Sequence, residues 1–168
     1  MEIGATNEDY DRVCLLVGRY MHHFALLESG IDTAVGKLLS IDTLQNQIVV
    51  RNIEFSRKIY ILKSAVSLKT KQVEKVALLN KVMKAAEIRN VVAHNVFGPD
   101  RGGIRFLTVA ARSELKFPET FYTLEGFSEL TDELVWLRAM IDKMTAEMTK
   151  PTTNILQEIM RNALTPPV

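Results

Sequence analysis

Apolar residues recur at three- and four-residue steps through most of the chain, and those steps predict its elements. Over residues 8–39 the positions Val13, Leu16, Tyr20, Phe24, Leu27, Ile31, Val35 and Leu38 form one stripe, the mark of an amphipathic helix. Thr6 or Asn7 supplies an N-cap, with Glu8 and Asp9 as first-turn acids. Gly30 predicts a kink or break within this helix. SIDTLQNQ reads as a loop or a short helical turn. A second helix is predicted from residue 52 or 55 to residue 68, with Ile59, Tyr60, Leu62 and Val66 facing inward. Thr70 caps a third over residues 72–94, and Gly98-Pro99 stops it.

The texture then changes. RGGIRFLTVAA and ELKFPETFYTL are short, β-branched and aromatic, and predict a two-stranded hairpin over residues 103–123 with Arg112-Ser113 between the strands. The last long helix is predicted over residues 124–148, its stripe formed by Phe127, Leu130, Leu134, Leu137, Ile141 and Met144. Pro151 ends it; NILQEIMRNAL reads as a short terminal helix and TPPV as a frayed tail. The expected fold is mainly all-α, an up-and-down bundle of four to five helices with a small β-hairpin inserted before the last long one. Residues 1–150 are expected to form one helical domain, with residues 151–168 as its C-terminal helix and tail.

Composition narrows the setting. The chain has 168 residues, enough for a real core, and a net charge of +1, which by itself selects no partner. With one cysteine, Cys14, no internal disulfide can form, and Cys14 within VCLLV is expected as a small buried hydrophobe. The acidic start MEIGATNEDYD lacks the features of a secretory signal, and no apolar run approaches ~20 residues, so a cytoplasmic protein without a membrane span is expected. Three histidines and one cysteine leave little for a metal site, and neither metal nor cofactor is expected. His22 and His23 are adjacent and point about 100° apart on a helix. Met140, Met144 and Met148 read as core or interface filler, Gly102-Gly103 as a turn, and Trp136 as packing.

Charge is uneven. Residues 51–89 carry ten Lys or Arg against three acids, whereas residues 1–50 and 114–149 are acidic. The basic middle solvates helix faces and pairs them with the acidic flanks, or it attracts phosphate; Arg57, Lys58, Lys63, Lys81 and Lys84 are the candidate RNA contacts on the second reading.

One stretch, EIRNVVAHN at residues 87–95, places polar groups where an apolar pattern would continue. On a helical wheel Leu78, Leu79, Val82, Ala85, Ala86 and Ala93 fall within about 80° of Arg89, which therefore points into the apolar stripe. Asn90, His94 and Glu87 gather on the neighbouring side, and Asn90 and His94, four apart, are expected to meet. A cation so placed calls for an anion: a carboxylate such as Glu28 or Glu87, or the phosphate of a ligand. The small residues Ala85, Ala86 and Ala93 allow another helix to approach.

Arg89, Asn90 and His94 in RNVVAH resemble the signature of the HEPN superfamily, an arginine and a polar residue followed after a short gap by a histidine. The setting is similar across roughly residues 10–149: a first helix containing FALLESGID, a second containing FSRKIYILKS, and a last helix after FYTLEGF. The resemblance implies a helical homodimer with the two motifs facing each other. It also implies metal-independent RNA cleavage, often in toxin–antitoxin or phage-defence systems with an antitoxin protein as partner. His94 would be general acid or base, Arg89 would stabilise the phosphoryl transition state, and Asn90 would orient phosphate or imidazole. Imidazole exchanges protons near neutral pH and an internal 2′-OH is a tethered nucleophile, so that chemistry needs no metal. Members that have lost catalysis imply the alternative, a helical protein- or nucleic-acid-interaction module that keeps the motif structurally. Glu87 and Glu28 are the expected supporting residues.

Overall fold

A computed structural model describes residues 5–67, 72–107, 110–111, 115–116 and 119–148. The chain is mainly α-helical, with a small antiparallel sheet inserted before the last long helix, as expected. The elements are α1 (Asn7–Leu39), α2 (Thr43–Val49), a 3-10 turn (Val50–Asn52), α3 (Phe55–Ser67), α4 (Val73–His94), strands β1 (Val96–Asp100), β2 (Gly103–Leu107), β3 (Ala110–Ala111), β4 (Leu115–Lys116) and β5 (Glu119–Thr123), and α5 (Leu124–Glu147). The expected Thr70 cap, the Arg112-Ser113 turn, and the helix and tail after Pro151 lie outside the described residues. Two compact units are built from discontinuous segments: Met1–Ala25 with Ala85–Val135, and Leu26–Lys84 with Trp136–Val168.

In the first unit α1 starts on a reciprocal cap. Thr6 Oγ1 accepts from the Asp9 amide at 3.2 Å, while the Asp9 carboxylate accepts from the Thr6 amide at 2.9 Å and its hydroxyl at 2.8 Å. The backbone bond to Thr6, then the hydroxyl bond, hold the Asp9 carboxyl below its ordinary range. Val13, Val17, Tyr20 and Phe24 of α1 are buried, as are Ile104, Phe106, Phe127 and Leu134. Tyr20 packs its ring 5.3 Å from Phe127, which stacks on Phe106 at 5.9 Å. Cys14, expected in this core, is exposed: it follows Val13 by one residue and so turns about 100° off the buried stripe.

The hairpin is richer than expected. β2 and β5 pair as predicted, from Gly103 opposite Thr123 to Leu107 opposite Glu119. A third strand, β1, lines the other side of β2, and β3 pairs with β4 farther along the chain. The Gly98-Pro99 pair therefore does more than stop a helix; it lies within β1, an edge strand, where the missing proline N–H breaks no ladder. The tight turn follows at Arg101 (φ 45°) and Gly102 (φ 77°), the two left-handed positions that a two-residue hairpin loop demands. Gly103 is required by close approach, since a Cβ there would press on the Tyr122 carbonyl oxygen and the Phe121 ring.

In the second unit Leu27, Ile31 and Val35 of α1, Ile59 and Leu62 of α3, Leu79 and Val82 of α4, and Leu137, Ile141 and Met144 of α5 are buried. α1 is unbroken at Gly30. The missing side chain instead makes room for Arg138, whose Nη1 donates to the Leu26 carbonyl while its Nε donates to Asp142 at 2.8 Å. Lys37 Nζ donates to the carbonyls of Thr145 (2.6 Å) and Ala146 (3.2 Å) in the last turn of α5, the Thr145 oxygen also accepting from the Met148 amide at 3.2 Å. Tyr60, expected inward, is exposed, because Lys58, Ile59, Ile61, Leu62, Ala65 and Val66 define the buried face of α3 and Tyr60 falls outside it.

Candidate functional site

The last turn and a half of α4 carries the candidate site, in the first unit. The wheel placed Arg89 on an apolar stripe; of its members in the first unit Ala85 is buried, Ala86 half-buried and Ala93 exposed. Arg89 itself is half-buried, with Nε sealed from solvent. Its guanidinium carbon stands 5.7 Å from the centroid of the Phe24 ring, within cation–π range. Nη1 donates to Asn90 Oδ1 at 3.2 Å. One turn earlier, the Tyr20 hydroxyl donates to the Ala85 carbonyl at 3.1 Å. Tyr20 and Phe24, four apart on α1, thus brace Ala85 and Arg89, four apart on α4. Both aromatics stand in the apolar stripe of the sequence, but nothing there reveals which polar residue they meet.

No described carboxylate answers Arg89. Among the described residues neither Glu87 nor Glu28 forms an ion pair, and no other acid lies within 4.0 Å of the Arg89 nitrogens. Nε is buried and has no hydrogen-bond partner among the described residues, while Nη1 is held by Asn90. The Nε/Nη2 edge of a guanidinium is the fork that grips a carboxylate or phosphate through two parallel bonds, and here an anion reaches its Nε end only when the side chain shifts outward. An unsatisfied buried donor costs about 1–3 kcal/mol and calls for an explanation.

His94, the last residue of α4, is exposed, as are Asn90, Glu87 and Ala93. The expected meeting of Asn90 with His94 does not occur as a hydrogen bond among the described residues, because Asn90 turns its oxygen to Arg89. Asn95 Nδ2 donates to the Val91 carbonyl at 2.8 Å and closes the helix end behind His94. The site therefore consists of a braced, half-buried arginine bonded to an exposed asparagine, with an imidazole at the helix terminus, five residues beyond the arginine.

The five basic candidates belong to the second unit and differ in kind. Arg57, Lys81 and Lys84 are exposed and Lys63 is half-buried. Lys58 is not available to RNA: it is 2% exposed, and its Nζ lies 2.7 Å from Asp32 Oδ1, a charge contact without the angles of a hydrogen bond. It lies on the inward face of α3 beside Ile59, and only an acid at Asp32 lets a lysine remain there.

Sequence reasoning did not find a cleft of about 680 Å³ in the first unit, between the start of α1 and the β1–β2 turn. Arg12, Arg101 and Arg105 line it along with Asp9 and Asp100, and none of Arg89, Asn90 and His94 does. Arg105 is engaged by Asp100 and, at 2.8 Å, by Glu119. Among the described residues no three His, Cys, Asp or Glu side chains gather as a metal site, and no helix is long and apolar enough to cross a membrane. No family model, curated protein or solved structure matches the chain.

Proposed function

We propose that the protein is a metal-independent endoribonuclease of HEPN type, acting as a homodimer whose two RNVVAH motifs share one composite site. The observation that supports this reading best is the Arg89 guanidinium, braced by Phe24 and Asn90 with its Nε donor unmatched by any described residue. A phosphate is the anion that a guanidinium fork accepts once its Nε is uncovered, and the basic composition of residues 51–89 favours a polyanion. In the reaction the ribose 2′-oxygen attacks phosphorus and the bond to the 5′-oxygen breaks, leaving a 2′,3′-cyclic phosphate and a 5′-hydroxyl. His94 takes the 2′-OH proton or protonates the leaving oxygen, the symmetry-related His94 serving the other role. Arg89 neutralises charge on the non-bridging oxygens, and Asn90 keeps the guanidinium aimed.

The second reading, a non-catalytic interaction module, draws on a different observation. His94 is exposed, and no described residue hydrogen-bonds it into a fixed orientation. One experiment separates the two. RNA is incubated with the wild-type protein and with the Arg89→Ala/His94→Ala double variant in EDTA. Cleavage by the wild type alone supports the ribonuclease; RNA left intact by both supports the module. Sedimentation at micromolar concentration tests the dimer, and a monomer removes the composite site.

A further inference from the structure

The second unit exposes aromatic rings in an unusual company. Trp136 on α5 is 45% exposed, and Lys81 Nζ of α4 lies 4.9 Å from its ring centroid. Tyr60 on α3 is 44% exposed, with Lys63 Nζ 5.7 Å from its ring. Trp136, expected as packing, thus leaves part of its ring open to solvent. Lys84, one turn beyond Lys81, and Lys143, two turns beyond Trp136, are exposed, and neither forms an ion pair among the described residues.

We propose that Trp136 and Lys81 form a stacking platform for single-stranded RNA, with a base lying on the indole face and Lys81, displaced from the ring, pairing with the adjacent phosphate. Magnitudes favour the exchange. An exposed lysine–aromatic contact is worth only a few-fold in equilibrium terms, whereas loss of a base–aromatic stack typically costs roughly ten- to hundredfold in affinity. The displaced ammonium is not wasted, because it gains a phosphate. Every base has a π face, so the platform holds the strand without reading its sequence. The inference deepens the ribonuclease reading and rests on it for the identity of the polymer, but it concerns binding away from the cleavage residues.

Trp136 is the chain's single tryptophan, so its fluorescence reports on this position alone. The full-length protein is titrated with a 2′-O-methyl RNA oligonucleotide, which the proposed chemistry cannot cut. Quenching of the indole emission that saturates with binding is expected. Trp136→Ala should weaken binding about tenfold while leaving the slope of log Kd against log salt unchanged. Trp136→Phe should restore most of the loss, which a merely misfolded variant would not explain. Lys81→Gln should instead reduce the salt slope by about 0.7. Unchanged fluorescence at saturation, or equal affinity of Trp136→Ala and wild type, overturns the platform even if His94-dependent cleavage is found. Quenching and tenfold loss without any RNA cleavage sustain the platform and remove the ribonuclease reading. If a protein ligand, and no RNA, quenches Trp136, the proposal fails.

Discussion

Arg89 lies over the ring of Phe24, with 5.7 Å between guanidinium carbon and ring centroid, although the two residues sit on different helices. The contact holds the cation at the edge of the core, and the Asn90 bond fixes its Nη1. Charge, shape and aim are therefore separable. Arg89→Lys keeps the charge but loses the fork, and is expected to lower single-turnover RNA cleavage by ~10²-fold, in the range of losing one preorganised transition-state donor. Phe24→Leu keeps an apolar volume and should cost under about 1.5 kcal/mol of stability. It should still slow cleavage, because the guanidinium loses its platform. Full activity of Arg89→Lys would show that only charge matters at this position.

His94 carries the proton transfers in the proposed chemistry. His94→Ala should lower the cleavage rate by ~10²-fold or more without changing RNA affinity appreciably. Its exposure makes a stability loss an unlooked-for result, so thermal unfolding should match that of the wild type. A 2′-O-methyl group at the cut site should abolish cleavage. Persistence of cutting on that strand, read on a denaturing gel, would refute the internal-nucleophile mechanism.

Tyr20 links stability to pH. Burial, foremost, with smaller contributions from Tyr122 and Glu133, raises its hydroxyl above the ordinary value of 10.0. The stability tied to its neutral form is complete below the unfolded value and declines as pH rises past 10.0 toward the higher folded one. Tyr20→Phe forfeits the bond to the Ala85 carbonyl and should cost ~1 kcal/mol at neutral pH. It should also flatten the decline in stability between about pH 9 and about pH 11, measured by urea unfolding. Tyr122, also raised by burial, leaves some decline in place. An identical slope in both proteins would assign alkaline unfolding elsewhere.

Lys58 and Asp32 form a buried ion pair in the second unit. Lys58→Ala strands a largely buried carboxylate and is expected to cost roughly 3 kcal/mol or more. Replacing both partners, Lys58→Met with Asp32→Leu, should recover most of that loss, since the desolvation of two charges disappears with them. Additive losses in the double variant, measured by denaturant unfolding, would contradict a coupled pair.

Periodicity settled the helices. α1, α3, α4 and α5 lie within two residues of the spans their apolar repeats predict, because a 3.6-residue stripe is a local property of the chain. The pairing of β2 with β5 was equally legible, from two β-rich runs close in sequence. β1 was not, since Gly98-Pro99 carries the same signal whether it merely stops a helix or also edges a sheet. Arg89 was legible as a cation aimed at the apolar stripe; that Asn90 would bond Arg89 and not His94 was not.

What those groups touch was decided only in three dimensions. Phe24 under Arg89, Tyr20 on Ala85, Asp32 on Lys58 and Lys81 over Trp136 are all contacts between helices far apart in sequence. A helical repeat gives the angle at which a side chain leaves its own axis. It carries no record of the neighbouring axis, and so cannot tell a lysine paired in the core from one left for phosphate, or a packed tryptophan from an exposed one.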